Sequence, residues 1–161
     1  MKIPIVDEND NVIGFKERDD RNPKDIFRIT SIWITDENDN ILLQQRKLNK
    51  KINPGKWGPA VAGTVEEGET YESNAYKEMG EEIGVCGVEL VKLEKVFREP
   101  KSGRKFVQLY SCKIPHSYNL KAQEDEVEQL KWFSKNELID LYNKKPQDFV
   151  DFMSYLINNM F

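Results

Sequence analysis

Three glutamates crowd the end of one predicted helix: Glu78, Glu81 and Glu82, within GTVEEGETYESNAYKEMGEEIGV, the stretch from Gly63 to Val85. Offsets of three and four residues place these carboxylates on one side of an α-helix. As structure alone the arrangement is unfavourable. Like charges at those offsets repel by roughly 0.2–0.5 kcal/mol per pair. Glu81 and Glu82 also lie in the last turn, where the helix dipole favours cations, and Gly80 inside the helix costs up to ~1 kcal/mol relative to alanine. Several local rules broken in one turn mark a functional site. A hard divalent cation would turn the repulsion into binding, because carboxylate oxygens are its preferred ligands.

The elements that must position these groups are legible around them. Thr70 is a suitable N-cap, with Glu69 beside it at the positive end of the dipole. Residues 71–83 contain no proline, and Gly84 suits the C-terminal stop. Before the helix, residues 60–65 form a short strand of small residues in which Gly63 is the obvious point of close backbone approach.

The spacing of Gly63, Glu69 and the run Lys77-Glu78-Met79-Gly80-Glu81-Glu82-Ile83-Gly84-Val85 resembles the Nudix box, G-x5-E-x7-R-E-U-x-E-E-x-G-U with U apolar. One position departs, Lys77 standing where the family has arginine; lysine keeps the charge and loses the planar fork. The resemblance extends to VDENDNVIG near the start, LLQQR at 42–46, PGKW at 54–57 and KWFS at 131–134, which are similar to the Nudix subgroup related to isopentenyl diphosphate isomerase. It implies an α/β fold, a Nudix-type α/β/α sandwich with a mixed central sheet. It implies hydrolysis of a phosphoanhydride in a nucleoside di- or triphosphate, or in a nucleoside diphosphate joined to another group X, with magnesium, or manganese in its place. By motif position Glu78 and Glu82 are the expected core metal ligands, Glu81 a further ligand or the holder of a water, and the Gly63 carbonyl an additional ligand. Glu69 and Lys77 are the expected brace between loop and helix.

Outside the box the assignments rest on fewer residues. Glu126, six residues before Trp132, is the expected general base or extra ligand, against its reading as an ordinary loop carboxylate; Glu99 is a weaker candidate. Arg46, at a strand end facing the box loop, can hold a phosphate through two parallel hydrogen bonds or can serve as a surface ion pair. Arg98, Lys101, Arg104 and Lys105 read as a solvated hairpin tip. Trp33, Phe97 and Tyr110 read as core rather than as stacking platforms for a base. His116 is the single histidine, and a lone histidine builds no site.

Composition bounds the rest. The 161 residues suit one domain with a substantial core, and 39% hydrophobic with 32% charged residues describes a soluble globular chain. A net charge of −4 argues against a broad basic face for a nucleic-acid polymer. The expected partner is a small nucleotide or diphosphate, held by metal or by a few placed cations. No long apolar run predicts a membrane span. The opening MKIPIVDEND lacks the apolar core of a signal peptide, so the cytoplasm is the expected location. Cys86 and Cys112 lie in apolar, strand-like contexts and read as core.

Along the chain, residues 1–25 predict an N-terminal β-hairpin extension, which could also serve as a homodimer interface. Residues 26–145 predict the catalytic core, with strands at 26–35, 41–46, 60–65, 88–98, 106–114 and 127–133 and a helix opened by a Ser134-x-x-Glu137 capping box. Residues 146–161 predict a C-terminal helix with one apolar stripe of Phe149, Phe152, Met153, Leu156 and Ile157. All of 1–161 reads as a single domain. Two rivals to a hydrolase follow from the resemblance. The isomerase needs a cysteine and several histidines, but Ala62, Thr64 and Phe27 occupy those positions. A non-catalytic nucleotide-binding module is opposed by the intact Glu78, Glu81 and Glu82.

Overall fold

A computed structural model describes residues 1–161. In chain order the elements are β1 (Lys2–Val6), β2 (Val12–Glu17), β3 (Ile26–Thr35), β4 (Ile41–Arg46), β5 (Trp57–Pro59), β6 (Val61–Thr64), α1 (Tyr71–Ile83), β7 (Val91–Arg98), β8 (Arg104–Lys113), β9 (Val127–Phe133), α2 (Lys135–Lys144) and α3 (Phe152–Asn159). Short 3-10 turns at Arg18–Asp20 and Pro146–Asp148 complete them. No helix is long and apolar enough to cross a membrane.

β3 organises a nine-stranded mixed sheet. Its sequence, IFRITSIWIT, is apolar at both parities in its second half, the pattern of a strand covered on both faces. β8 runs parallel to it along its whole length. The other side of β3 is shared by three antiparallel partners: β1 at its start, β6 in the middle and β4 at its end. Ile32 and Ile34 face α1, packing with Ala75, Met79 and Ile83. Trp33 faces α2 and α3, packing with Leu138, Met153 and Leu156. The result is the α/β/α sandwich with a mixed sheet.

The pentapeptide DENDN occurs twice and folds the same way twice. Asp7 Oδ1 accepts the N–H groups of Asn9 and Asn11, and Asp36 Oδ1 those of Asn38 and Asn40. Asp10 and Asp39 take positive φ, 63° and 61°. Their surroundings differ. Asp10 accepts hydrogen bonds from Arg28 Nε at 2.7 Å and from the Tyr71 hydroxyl at 2.9 Å, which ties the first hairpin to the start of α1. Burial opposes its ionised form, but Lys95, Arg28 and Tyr71 together hold its carboxyl below the usual range.

Four expectations are corrected. The C-terminal helix is split: after the 3-10 turn, Phe149 bridges to Trp57 in extended form, and α3 begins only at Phe152. That bridge secures the end of the chain against β5, and Val150 N–H donates to the Trp57 carbonyl. Residues 88–90 precede β7 rather than joining it. The Ser134 box is half formed: Ser134 Oγ accepts the Glu137 N–H, while the Glu137 carboxylate accepts from Lys131 instead. Cys112 is buried, but Cys86 is exposed in the loop beyond α1, so it is not core.

Candidate active site

α1 begins and ends where its sequence signals stand. Thr70 Oγ1 accepts the Ser73 N–H and Ser73 Oγ accepts the Thr70 N–H, closing a reciprocal cap. Gly84 adopts the left-handed conformation, φ 70°, that stops the helix. Between these limits one face of α1 lies along β6. An alanine Cβ at Gly63 would fall 2.2 Å from Glu78 Cγ, so the bare Cα of Gly63 makes room for this side chain.

The two innermost carboxylates are Glu78 and Glu82. Glu82 is buried, and its Oε2 accepts hydrogen bonds from Gln44 Nε2 at 3.1 Å and the Ala62 N–H at 3.2 Å. Burial, reinforced by the charge of Glu78, pushes its carboxyl up to about 8, against the pull of those two donors. Burial likewise raises Glu78 to about 7; Lys77 pulls it down, and the charges of Glu81 and Glu69 push it up. Glu81 is exposed on the outer flank of the helix, although its charge still reaches Glu78. No group of three or more His, Cys, Asp or Glu side chains is gathered closely enough to hold an ion by itself. The innermost donors at the corner are two carboxylates and backbone.

The backbone contribution differs from the one expected. Val65 N–H donates to the Arg28 carbonyl across the ladder, whereas the Ala62 N–H turns away from β3 to Glu82. Since antiparallel residues alternate, Gly63 faces β3 and Ala62 faces the free edge. The carbonyl presented to the carboxylates is thus that of Ala62, not Gly63.

Lys77 meets Glu69 at 2.6 Å and Glu66 at 2.8 Å, and stands 3.8 Å from Glu78. Burial works against its ammonium, yet the two close glutamates raise it above its ordinary value. Sequence reasoning missed Asn74, the buried hub of this corner. Its Nδ2 donates to the Thr64 carbonyl and to Glu69, while its Oδ1 accepts from Thr30 Oγ1. It also missed Gln44, which bonds both the Ala60 carbonyl and Glu82. Each is an amide buried by partners distant in sequence, so no local spacing marked it.

Glu126 lies close enough to Glu82 to raise it, and is itself paired with Lys50 at 2.7 Å. The loop carrying it is fastened to the end of α1 by the Lys121 and Gln123 N–H groups, which donate to the Ile83 and Glu82 carbonyls. Arg46 has no carboxylate partner. Its Nε donates to the Ile52 carbonyl, and its side chain lines a cavity whose wall includes Ala62, Gly63 and Thr64. Arg98 and Lys105 line the same cavity, contrary to their reading as a solvated tip. Arg104 does stay outside, paired with Glu99 at 2.9 Å, which removes Glu99 from the site. Trp33 and Tyr110 are core, whereas Phe97, read as core, is 39% exposed and packs on Phe106 at the surface. His116 is occupied structurally, bonded through Nδ1 to Asp36 at 2.7 Å and stacked on Trp132.

Residues 26–155 match the NUDIX domain family. A Nudix hydrolase of Yersinia pestis, itself uncharacterised, is 31% identical over 137 residues, covering 84% of this chain and 74% of its own length. Among solved structures, DR0079 of Deinococcus radiodurans superposes with a TM-score of 0.85 at 18% identity, covering 98% of both chains. The Nudix domain of Shewanella oneidensis NrtR, solved with ADP ribose, gives a TM-score of 0.66 at 19% identity over 87% of this chain and 91% of its own. The chain belongs to the Nudix family and is a hydrolase of phosphoanhydrides. Enzymes of this family generally work with a divalent metal ion.

Proposed function

We propose that this protein is a magnesium-dependent pyrophosphohydrolase, with manganese as an alternative ion, that cleaves the anhydride of a nucleoside di- or triphosphate or of a related nucleoside diphosphate joined to a group X. The observation that carries the reading is the pair Glu78 and Glu82. Glu82 is buried and Glu78 partly buried, both are pushed up toward neutrality, and Glu82 has no cationic partner. Such a pair is poised to ionise when a cation arrives. Magnesium usually takes one or two protein carboxylates and completes its shell with water and substrate phosphates, which fits a corner of two carboxylates and the Ala62 carbonyl. When bound, the ion supplies charge neutralisation on the diphosphate oxygens.

The residues of the chain do the positioning. Gln44 and the Ala62 N–H fix Glu82; the bare Gly63 and Asn74 fix Glu78; Lys77 fastens the Glu66–Glu69 loop to α1. In the reaction water adds to one phosphorus, the P–O–P bridge breaks, and two phosphate products leave. Glu126 is our candidate to accept the proton of that water, with Lys50 beside it as counter-charge. Glu81, on the outer flank, is assigned to holding solvent near the ion. Arg46 is assigned to a phosphate of the substrate, which its unpaired guanidinium suits. The ADP ribose in the NrtR domain supports a nucleoside diphosphate compound as the substrate class. The test is a panel of nucleotide anhydrides incubated with magnesium or manganese, with products separated by chromatography. Metal-dependent anhydride cleavage is expected; tight binding with no turnover of any member would overturn the reading.

A further inference from the structure

The cavity beside Gly63 lies on the sheet face away from α1, has a volume of about 190 Å³, and is lined by five cations, Arg18, Arg21, Arg46, Arg98 and Lys105, against one acid, Asp151. In a chain of net charge −4 this is a pronounced local reversal. Asp151 is taken by Arg98 at 2.8 Å, and none of the other four cations has a carboxylate within 4 Å. The cations are also held in place. The Arg21 guanidinium lies 3.9 Å over the Phe27 ring and donates from Nε to the Arg18 carbonyl, while Lys105 donates to Ser102 Oγ. Burial, with Arg21 nearby, pushes the Lys105 ammonium down to about 8. Like charges gathered without carboxylate partners, two of them (Arg21 and Lys105) partly desolvated, are unfavourable unless an anion completes them. A second observation points to a ligand. Ser31 Oγ, on β3 in the wall of this cavity, is buried without any hydrogen-bond partner. A buried hydroxyl left unsatisfied is costly, so the side chain is placed where something polar can reach it.

Ala62 and Gly63 belong to both places: the Ala62 N–H and the Gly63 Cα meet the carboxylates, and the same residues line the cavity. Resting on the hydrolase reading above, we infer that the group attached to the scissile diphosphate itself carries at least one further phosphate, received by Arg21, Lys105 and Ser31. Neutral sugars and bare nucleobases would leave these cations unmatched. The preferred substrates are therefore phosphate-rich anhydrides rather than nucleoside diphosphate sugars. The 3-10 turn after β2 brings Arg18 and Arg21, so the N-terminal hairpin forms one wall of the substrate pocket.

The shared chemistry has two sources, a nucleoside polyphosphate chain or a phosphorylated sugar diphosphate. The experiment compares kcat/KM for adenosine tetraphosphate, for 5-phosphoribosyl 1-diphosphate and for ADP ribose, in the wild type, Lys105→Met and Arg21→Gln. Either phosphate-rich compound should exceed ADP ribose at least tenfold, and the better of the two names the carrier. Both variants should lower that ratio about tenfold, with Lys105→Met folding at least as well as the wild type because a desolvated charge is removed. A purely structural role would change melting temperature without moving the ratio. Binding of inorganic tripolyphosphate in EDTA, by calorimetry, separates the two readings. If no anhydride is turned over but Glu82→Gln binds tripolyphosphate and Lys105→Met binds it tenfold more weakly, the hydrolase reading fails and the polyanion site stands. Preference for ADP ribose, a ratio unmoved by both variants, or tripolyphosphate binding indifferent to Lys105 would overturn the proposal.

Discussion

The strand β6 has an acidic side and a basic side, and the two are built in opposite ways. Toward α1, Glu78 and Glu82 are surrounded by donors: Gln44, Asn74, the Ala62 N–H and, at 3.8 Å, Lys77. Toward α3, four of five cations have no ion pair, and the hydroxyl of Ser31 has no partner at all. The acidic side sets carboxylates among hydrogen-bond donors; the basic side sets cations among few acids. Two clusters of opposite sign on the two faces of one strand fit the proposed cation and phosphate-rich anion arriving as one complex.

Removing one member of the acidic side is the harshest test of that contrast. Glu82→Gln preserves shape and both hydrogen-bonding neighbours, so the fold should survive while metal-dependent turnover falls by more than about 10²-fold. A circular dichroism melt alongside a rate measurement separates the two. Gly63→Ala comes next. A methyl group 2.2 Å from Glu78 Cγ forces β6 and α1 apart or drives the carboxylate out. Overpacking of this kind costs about 1–3 kcal/mol, and metal affinity, read by calorimetry, should fall with it.

The pH dependence sharpens the comparison because its sign is fixed by the acidic pair. Folded-state values of about 7 for Glu78 and about 8 for Glu82 lie above the unfolded carboxyl value near 4.5. A raised acid stabilises the fold fully below the unfolded pKa and loses that contribution as pH climbs through the folded one. Metal-free protein should therefore lose several kcal/mol of stability, at roughly 1.4 kcal/mol per pKa unit, as pH rises from the unfolded value near 4.5 through about 8. Glu82→Gln should flatten much of that slope, as urea melts at each pH would report. Metal binding at pH 6.5 should release protons, since its ligands must ionise.

The smallest effect belongs to the brace. Lys77→Met leaves Glu66 and Glu69 facing Glu78 without a cation, and should lower stability by about 1 kcal/mol, the site being partly exposed. Lys77→Arg should remain within about 0.5 kcal/mol of the wild type, because the single ammonium already reaches both glutamates.

The same contrast explains what could be read from the sequence. The acidic corner comes mostly from one contiguous stretch, so cap, stop, close glycine and carboxylates announce themselves by spacing within residues 63–85. Even there Glu81 shares a motif with Glu82 but not its burial, since adjacent helical positions point about 100° apart. The carbonyl facing the corner is Ala62 rather than Gly63, because ladder alternation depends on a partner strand distant in sequence. The basic side is assembled from Arg18 and Arg21, Arg46, Arg98 and Lys105, which only the topology of β3 and β8 brings together. No local spacing marks it. The DENDN turns make the point on a small scale: identical residues give identical backbone, while Asp10 anchors α1 and Asp36 receives His116 only because of what folds against them.

The central claim is that Glu78 and Glu82 together grip the ion. Anomalous diffraction from crystals grown with manganese and a non-hydrolysable nucleotide tests it most directly. We expect one strong peak within coordination distance of both carboxylates and the Ala62 carbonyl; a peak elsewhere in catalytically active protein, with that corner empty, would contradict the account.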